Sequence, residues 1–351
     1  MGVRGEWNLL LMGDLFLQRD IPEETMHRLA FIHEADIVIG NLEGPLTDRG
    51  FPADKPIAFR MKPELGAQLR RLGVDIVSLA NNHALDYGYD GLFQTLDTLR
   101  DLGISFCGAG HNLEESLRAV FVETKGTRVG FVSLSCTLPP GYAATAERPG
   151  IAPIGIHQSY NVDGATAEEQ PGTSPFVLTE AVERDIVIAS KAIRAAKDEC
   201  DILVVSLHWG VPPLWSAPYQ GILAQYQRPL ARRLVEVGAD VIVGHHPHVL
   251  HGLEAINGCP VFYSLGNFIF HPYEVEYDPA SERPGPVGSV TGATFKETDE
   301  FKETVLVRIT CVGSEINDIQ LMAFRLDDSG NPQALQGSRA FAVFERMREM
   351  S

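Results

Sequence analysis

Four histidines fall within nine residues of "GHHPHVLHG", positions 244–252. A second polar cluster, "SLANNHALD", closes another apolar run at 78–86. Three more apolar runs end the same way, in Gly13-Asp14, Asn41-Leu42-Glu43 and His208-Trp209-Gly210. Asp and Glu oxygens, an Asn carbonyl and neutral imidazoles make a donor set suited to Mn²⁺, Fe²⁺ or Zn²⁺. A carboxylate can also bridge two such ions about 3.5–4 Å apart, as in two-metal hydrolysis. Without a metal, the same imidazoles and carboxylates are proton carriers for acid–base catalysis. Each cluster alone has a plainer explanation, since Asn-Asn-His is an ordinary capped turn and Gly-Asp is common. It is the conjunction of five that points to a site. Pro247, with its fixed φ, restrains the turn that aims His246 and His248 together.

Short β-branched runs alternate with helical patterns along the chain. "WNLLLMGD", "ADIVIGNLE", "VDIVSLANNH", "ISFCGAG", "TRVGFVSLSC", "DILVVSLHWG", "ADVIVGHH" and "CPVFYSLGNF" read as strands. Helices are expected over about 22–31, over "PELGAQLRRLG" up to Gly73, and over "YDGLFQTLDTLRDLG" up to Gly103. Two more are expected over "LTEAVERDIVIASKAIRAAKDEC" and "ILAQYQRPLARRLVEVG". Such alternation predicts a parallel sheet covered on both faces. In such α/β folds ligands bind beyond the carboxyl ends of the strands, which is where the five polar clusters fall. "FKETVLVRITCVG" and "EINDIQLMAFRLD" read as an antiparallel pair near the C-terminus. The expectation is one domain over 1–351, with a core at 7–270 and a strand pair and tail at 300–351. Two turn-rich insertions, at about 137–175 and 271–298, interrupt it.

Composition narrows the partners. The chain has 351 residues and a formal net charge of −17. That surface repels phosphate backbones and anionic bilayers, so neither nucleic acid nor a membrane is expected as a partner. An anionic substrate would need a local positive centre, a metal or an arginine. The five cysteines are scattered and include no C-x-x-C, which argues against a disulfide framework or a zinc knuckle. "LLLMGDLFL" is far short of the roughly 20 apolar residues of a membrane span, and no signal-cleavage pattern follows it. A cytoplasmic location is therefore expected. No organic-cofactor motif stands out.

The ordered set "GDLF", "GNLEGPLT", "FR", "NNHALDYG", "GAG", "HWG", "GHHPHVLHG" and "YSLGNF" resembles the CapA family, named for poly-γ-glutamate capsule synthesis. The likeness runs from about Leu9 to Phe270. It implies a calcineurin-like metallophosphoesterase fold, a layered αββα sandwich with helices covering mixed sheets. It also implies metal ligation by Asp14, Glu43, Asn82, His208, His246 and His248, with His83 as the catalytic histidine. His245 and His251 match no ligand position. One departure concerns the first motif, where Phe16 stands in place of a histidine ligand. The resemblance then implies at most one tightly held divalent metal, with metal-independent chemistry as the other expectation. A second departure is the missing membrane anchor, which shifts weight from a capsule role to a cytoplasmic branch that epimerises peptides.

On residues alone, epimerisation and hydrolysis both stay open. In epimerisation, His83, His248, Asp14 and Glu43 would remove and return an α-proton on a C-terminal residue of a ribosomal peptide. In hydrolysis, the same groups with a metal would cleave an amide (γ-glutamyl) or phosphoester bond. A non-catalytic accessory protein of polymer synthesis is the third possibility, and epimerisation is the favoured expectation. Arg60 is the expected carboxylate clamp through paired hydrogen bonds. Trp209, Trp215 and Tyr219 are expected as an apolar wall. His251 is expected at the pocket, Asn267 at the site edge, and Asp86 as either an orienting partner of His83 or a helix cap. The sequence does not fix the oligomeric state.

Overall fold

In the computed structural model, the described residues are 5–55, 57–170, 172–173, 175–210, 222–273 and 300–351. Two sheets face each other. The first has the order Pro332–Ala334, Glu315–Leu326, Glu303–Val312, Glu6–Phe16, Ile37–Leu42, Ile76–Ser78, Ser105–Cys107. From Glu6–Phe16 to Ser105–Cys107 its strands run parallel. The C-terminal pair joins it antiparallel, as the sequence predicts. The second sheet has the order Leu253–Ile256, Cys259–Phe262, Val241–His245, Ile202–His208, Thr127–Ser135, Val120–Thr124. Its four central strands are parallel.

The continuous apolar runs follow from burial on both faces. Along the first strand, Leu9 and Leu11 point to the inter-sheet core with Ile37, Ile39, Phe131, Val204 and Val243. Leu10 and Met12 point the other way, to a core with Leu69, Leu72, Leu92 and Leu96 from the helices Gly66–Leu72 and Gly88–Asp101. The outer face of the second sheet, with Leu203, Val205 and Leu207, is covered by Ile186 and Ile193 of Glu183–Lys197 and by Leu230 and Leu234 of Gln227–Glu236. Alternate residues thus serve different cores, as the two-residue period of a strand requires. The architecture is the layered αββα sandwich. The residue pattern foresees one parallel sheet with helices on both faces. In the structure each sheet has helices on one face and the other sheet on the opposite face, and both sheets are mixed.

Three local expectations are corrected. The helix foreseen from about 178 begins at Glu183, because Phe176–Ala181 is a strand antiparallel to Ile156–Asn161. Its residues alternate exposed and buried over most of its length, a half-solvated hairpin rather than a helix face. The stretch 137–175 is therefore partly structured, and it also holds the helix Gly164–Glu169. "CPVFYSLGNF" forms two strands. Cys259–Phe262 lies in the second sheet, and Asn267–Phe270 crosses to pair with the first strand. Gly266, at φ 70°, supports that crossover. Of the insertion at 271–298, residues 274–298 lie outside the described residues.

Candidate functional site

The crossover and a bulge build the floor of the site. Gly13 lies so close to the crossing chain that a Cβ there would sit 2.0 Å from the Gly266 carbonyl. The next amide, Asp14 N, donates to that carbonyl at 2.9 Å. The register of the parallel strands shifts between Leu11 and Asp14, which aims the Asp14 carboxylate at the strand ends. Asp14 is then level with Asn41 and Asn267, and His208 with His245. Five strands from two sheets thereby bring their polar ends to one cleft.

Asn41 organises the two carboxylates. Its Nδ2 donates to Asp14 Oδ1 at 2.8 Å and to Glu43 Oε2 at 2.5 Å. Asn81 holds Asn41 in turn, donating to its Oδ1 at 3.1 Å. Of the second oxygens, Glu43 Oε1 is buried without a hydrogen-bond partner, and Asp14 Oδ2 faces His248 Nδ1 at 3.1 Å. Orphaned carboxylate oxygens in a dry site are costly unless a charge is supplied to them.

Four donor atoms converge beside Glu43. His208 Nε2 lies 2.7 Å from Asn82 Oδ1, 2.9 Å from His246 Nδ1 and 3.5 Å from Glu43 Oε1. The ligand atoms of Glu43, His208 and His246 all lie within 4.8 Å of one another. Two imidazole nitrogens, a carboxamide oxygen and a carboxylate oxygen without a hydrogen-bond partner make a donor set that suits a shared divalent cation. His246 is held at φ 101° and His248 at φ 57°, a backbone conformation that non-glycine residues adopt rarely and that clusters at functional sites.

The adjoining pair differs. His248 Nδ1 is 2.8 Å from Asn267 Oδ1 and 3.1 Å from Asp14 Oδ2, while its Nε2 is 3.9 Å from Glu43 Oε1. Burial alone would push His248 down, but Asp14 and Glu43 outweigh it and raise it to about 9. Burial likewise favours neutral Asp14, yet His248 holds it below its usual value. Glu43 is pushed up to about 8 by burial and by the Asp14 charge. Burial lowers His246 to about 3, and His208 well below its ordinary value.

His83 forms the third wall. Its Nδ1 meets Asp86 Oδ2 at 2.5 Å, and its Nε2 is 4.0 Å from Glu43 Oε1. Phe59 stacks on the ring with centroids 4.0 Å apart. Burial lowers His83 to about 4 in spite of Asp86, so at neutral pH the imidazole is uncharged. Asp86 is fully buried and also accepts from Lys55 Nζ at 2.7 Å, Phe59 N at 2.7 Å and Tyr142 OH at 3.0 Å. Of its two expected parts, the structure gives it the orienting one.

The structure brings together Asp14, Glu43, Asn82, His83, His208, His246 and His248. Asn267 joins them at the edge, whereas Arg60, Trp209 and His251 are not brought in as substrate contacts. Arg60 is exposed, with its guanidinium 4.8 Å from the centre of the Tyr87 ring. Trp209 is a core residue, fully buried and stacked on Tyr263, because its indole N–H reaches the Tyr263 carbonyl beneath the second sheet. His251 is 1% exposed and so offers almost no surface to a substrate. Asn267 spends its amide on His248 and on the carbonyls of His248 and Phe301, which makes it the residue that orients His248. Trp215 and Tyr219 lie outside the described residues. His245 is a core histidine, with Nε2 3.0 Å from the Met12 carbonyl. Lys55 and Tyr142 were missed. The only sequence signal for Lys55 is a basic residue in an acidic chain, and Tyr142 belongs to a loop with no periodicity.

The family model described as "Bacterial capsule synthesis protein PGA_cap" matches residues 8–272. The "Capsule biosynthesis protein CapA" of Bacillus anthracis is 30% identical over 275 residues, covering 75% of this chain and 59% of that protein. The "PGA biosynthesis protein CapA" of Bacillus subtilis (strain 168) is 30% identical over 271 residues, 74% of this chain and 62% of that one. "Uncharacterized protein y4sH" of Sinorhizobium fredii is 26% identical over 98% of this chain and 89% of its own length. The chain spans about three fifths of the length of the two CapA proteins. Among the described residues no helix is long and apolar enough to cross a membrane. With most of its length matched by the family model, and with the strand-end donors gathered at one cleft, the chain belongs to the bacterial capsule synthesis protein (PGA_cap) family.

Proposed function

We propose that the chain is a single-metal hydrolase of an amide bond in a γ-glutamyl or related peptide chain. The observation that carries this reading is the convergence of Glu43 Oε1, Asn82 Oδ1, His208 Nε2 and His246 Nδ1. Glu43, Asn82, His208 and His246 would hold the cation, and Mn²⁺, Fe²⁺ and Zn²⁺ all suit the set. A bound divalent cation supplies Lewis-acid polarisation of a carbonyl and acidifies water. The protein's own groups divide the proton work. His83 is neutral and turns Nε2 toward the cleft because Asp86 occupies Nδ1, so it is the base that takes a proton from the attacking water. His248 is held protonated beside Asp14, so it is the acid that delivers a proton to the departing nitrogen. Environments that push two like groups apart in pKa mark such a division of labour. The names of the relatives, capsule and PGA biosynthesis, favour a glutamyl polymer over a phosphoester. Phe16 in place of a second-metal donor favours it too.

One observation favours a second reading. His83 and His248 approach Glu43 Oε1 at 4.0 and 3.9 Å in opposite protonation states, which also suits inversion of an α-carbon by one base and one acid. Incubating the metal-loaded protein with γ-glutamyl and α-peptide oligomers in D₂O, followed by mass spectrometry, separates the two. Chain cleavage supports hydrolysis. Deuterium at one α-carbon in an intact chain replaces hydrolysis with epimerisation.

A further inference from the structure

A cavity of about 780 Å³ opens beside the metal-type cluster, and His246 forms part of its wall. That volume is in the range of sites that enclose a small ligand or a few residues of a chain. Most of its remaining lining comes from the loop after the Thr127–Ser135 strand, including Leu138, Pro139 and Pro140. The far wall is the start of the helix Glu183–Lys197, with Arg184, Asp185 and Ile188.

The walls are tied to the catalytic elements. Cys136 N donates to the His208 carbonyl at 2.8 Å, and Ile154 N to the Ser135 carbonyl at 2.9 Å. Tyr142, on the same loop, reaches Asp86. The cavity is thus a fixed extension of the cleft, and a chain lying in it reaches His246.

Its charge is the informative feature. In a protein of net charge −17, Arg184 is the one lysine or arginine that lines the cavity among the described residues. Both neighbouring acids are engaged elsewhere. The Glu183 carboxylate is held by Arg233 at 2.8 and 3.1 Å, and Asp185 Oδ2 accepts from Gly155 N at 2.9 Å. Arg184 is exposed and forms no ion pair among the described residues. Asp185 keeps its charge on the same wall but is turned to the Gly155 amide, which leaves the Arg184 guanidinium suited to paired hydrogen bonds with an incoming carboxylate.

We propose that this cavity is the binding site for the substrate chain beyond the reacting bond, and that Arg184 is the residue selecting a chain that carries a carboxylate. The inference rests on the amide-cleaving reading for the identity of the chain. It replaces Arg60 with Arg184 as the carboxylate partner.

The test is a binding measurement, so its outcome does not depend on turnover. The full chain, stripped of metal by chelator, is titrated calorimetrically with a γ-linked glutamate trimer and with the same trimer amidated at every carboxylate. The wild-type protein should bind the acid about tenfold to a hundredfold more tightly than the amide, the worth of one charge-assisted pair. Arg184→Met should lose that preference, and Arg184→Lys should recover part of it. Arg184 is exposed, so neither variant is expected to unfold, and circular dichroism checks this. Equal affinity of Arg184→Met and wild type for the acid overturns the inference, as does equal affinity of the wild type for acid and amide. A preserved acid preference with no cleavage of any trimer by a parallel metal-loaded sample leaves the cavity assignment standing and removes the hydrolase reading alone. Cleavage that is indifferent to Arg184→Met removes the cavity assignment alone.

Discussion

Glu43, Asn82, His208 and His246 turn their ligand atoms toward a common point, whereas Asp14 and His248, from the two facing sheets, have turned toward each other. Both groups are buried or half-buried polar side chains at or beyond the carboxyl ends of strands. What separates them is the third partner. The first group is completed by the Asn82 carbonyl, which adds an oxygen donor. The second has Phe16 where a further donor would stand. Phe16 is 1% exposed and packs against Phe59 and Phe270 with centroids 4.4 and 5.2 Å apart. With that position closed by rings, Asp14 takes its positive charge from His248, 3.1 Å away. A buried carboxylate needs compensating charge, which the neighbouring imidazole of His248 can supply to Asp14. The contrast fits the proposed reading of one cation site beside one proton donor.

The largest effect should come from breaking the first group. His246→Ala or Glu43→Gln should abolish stoichiometric metal binding and lower kcat about a thousandfold. Metal analysis and initial rates on the same preparation check both. Full activity in a metal-free variant would show that the converging donors serve no cation. Breaking the second group should separate the two properties. His248→Gln is expected to keep the metal and to lower kcat roughly a hundredfold, the usual worth of a placed proton donor. Asp86→Asn, acting through His83, should cost about tenfold to a hundredfold, with the larger share in kcat rather than KM. Loss of metal in either variant would contradict the separation.

Next in size is a pH effect. Glu43 in the metal-free protein is raised to about 8 by burial and the Asp14 charge, so below that pH a cation must displace its proton. Metal affinity should therefore rise about tenfold per unit from pH 6 to 8 and level off above, because one proton is released per cation bound. Calorimetry in buffers of different ionisation enthalpy measures that proton, and a flat affinity over this window contradicts the assignment. The smallest effect sharpens the comparison in reverse. Phe16→His should admit a weak second equivalent of metal and, by removing a ring from the aromatic cluster, lower Tm by about 1–2 °C per kcal/mol lost. A second site that never fills at millimolar metal would mean that Asp14 and His248 exclude a cation without help from Phe16.

The strands and the residues that gather at the cleft were legible because apolar runs end abruptly in polar clusters. Each of the six ligand candidates lies at or just beyond the end of one. The apolar pattern by itself did not reveal that these strands belong to two facing sheets, which only the family resemblance implied. A strand buried against a sheet and a strand buried against helices carry the same apolar run. The parts of the site supplied by loops were poorly legible for a similar reason. Lys55 and Tyr142 reach Asp86 from segments without periodicity, and Arg60 has a motif position but its guanidinium lies over Tyr87. Trp209 looked like a pocket wall because it follows His208, yet in a strand successive side chains face opposite ways, and Trp209 points into the core.

The central claim is that the cleft holds one divalent cation. Elemental analysis of the full chain, after incubation with Mn²⁺, Fe²⁺ or Zn²⁺ and removal of excess, tests it directly. One equivalent per chain is expected, falling to none in His208→Ala and unchanged in His248→Gln. Two equivalents in the wild-type protein, or none with any of the three metals, would contradict it.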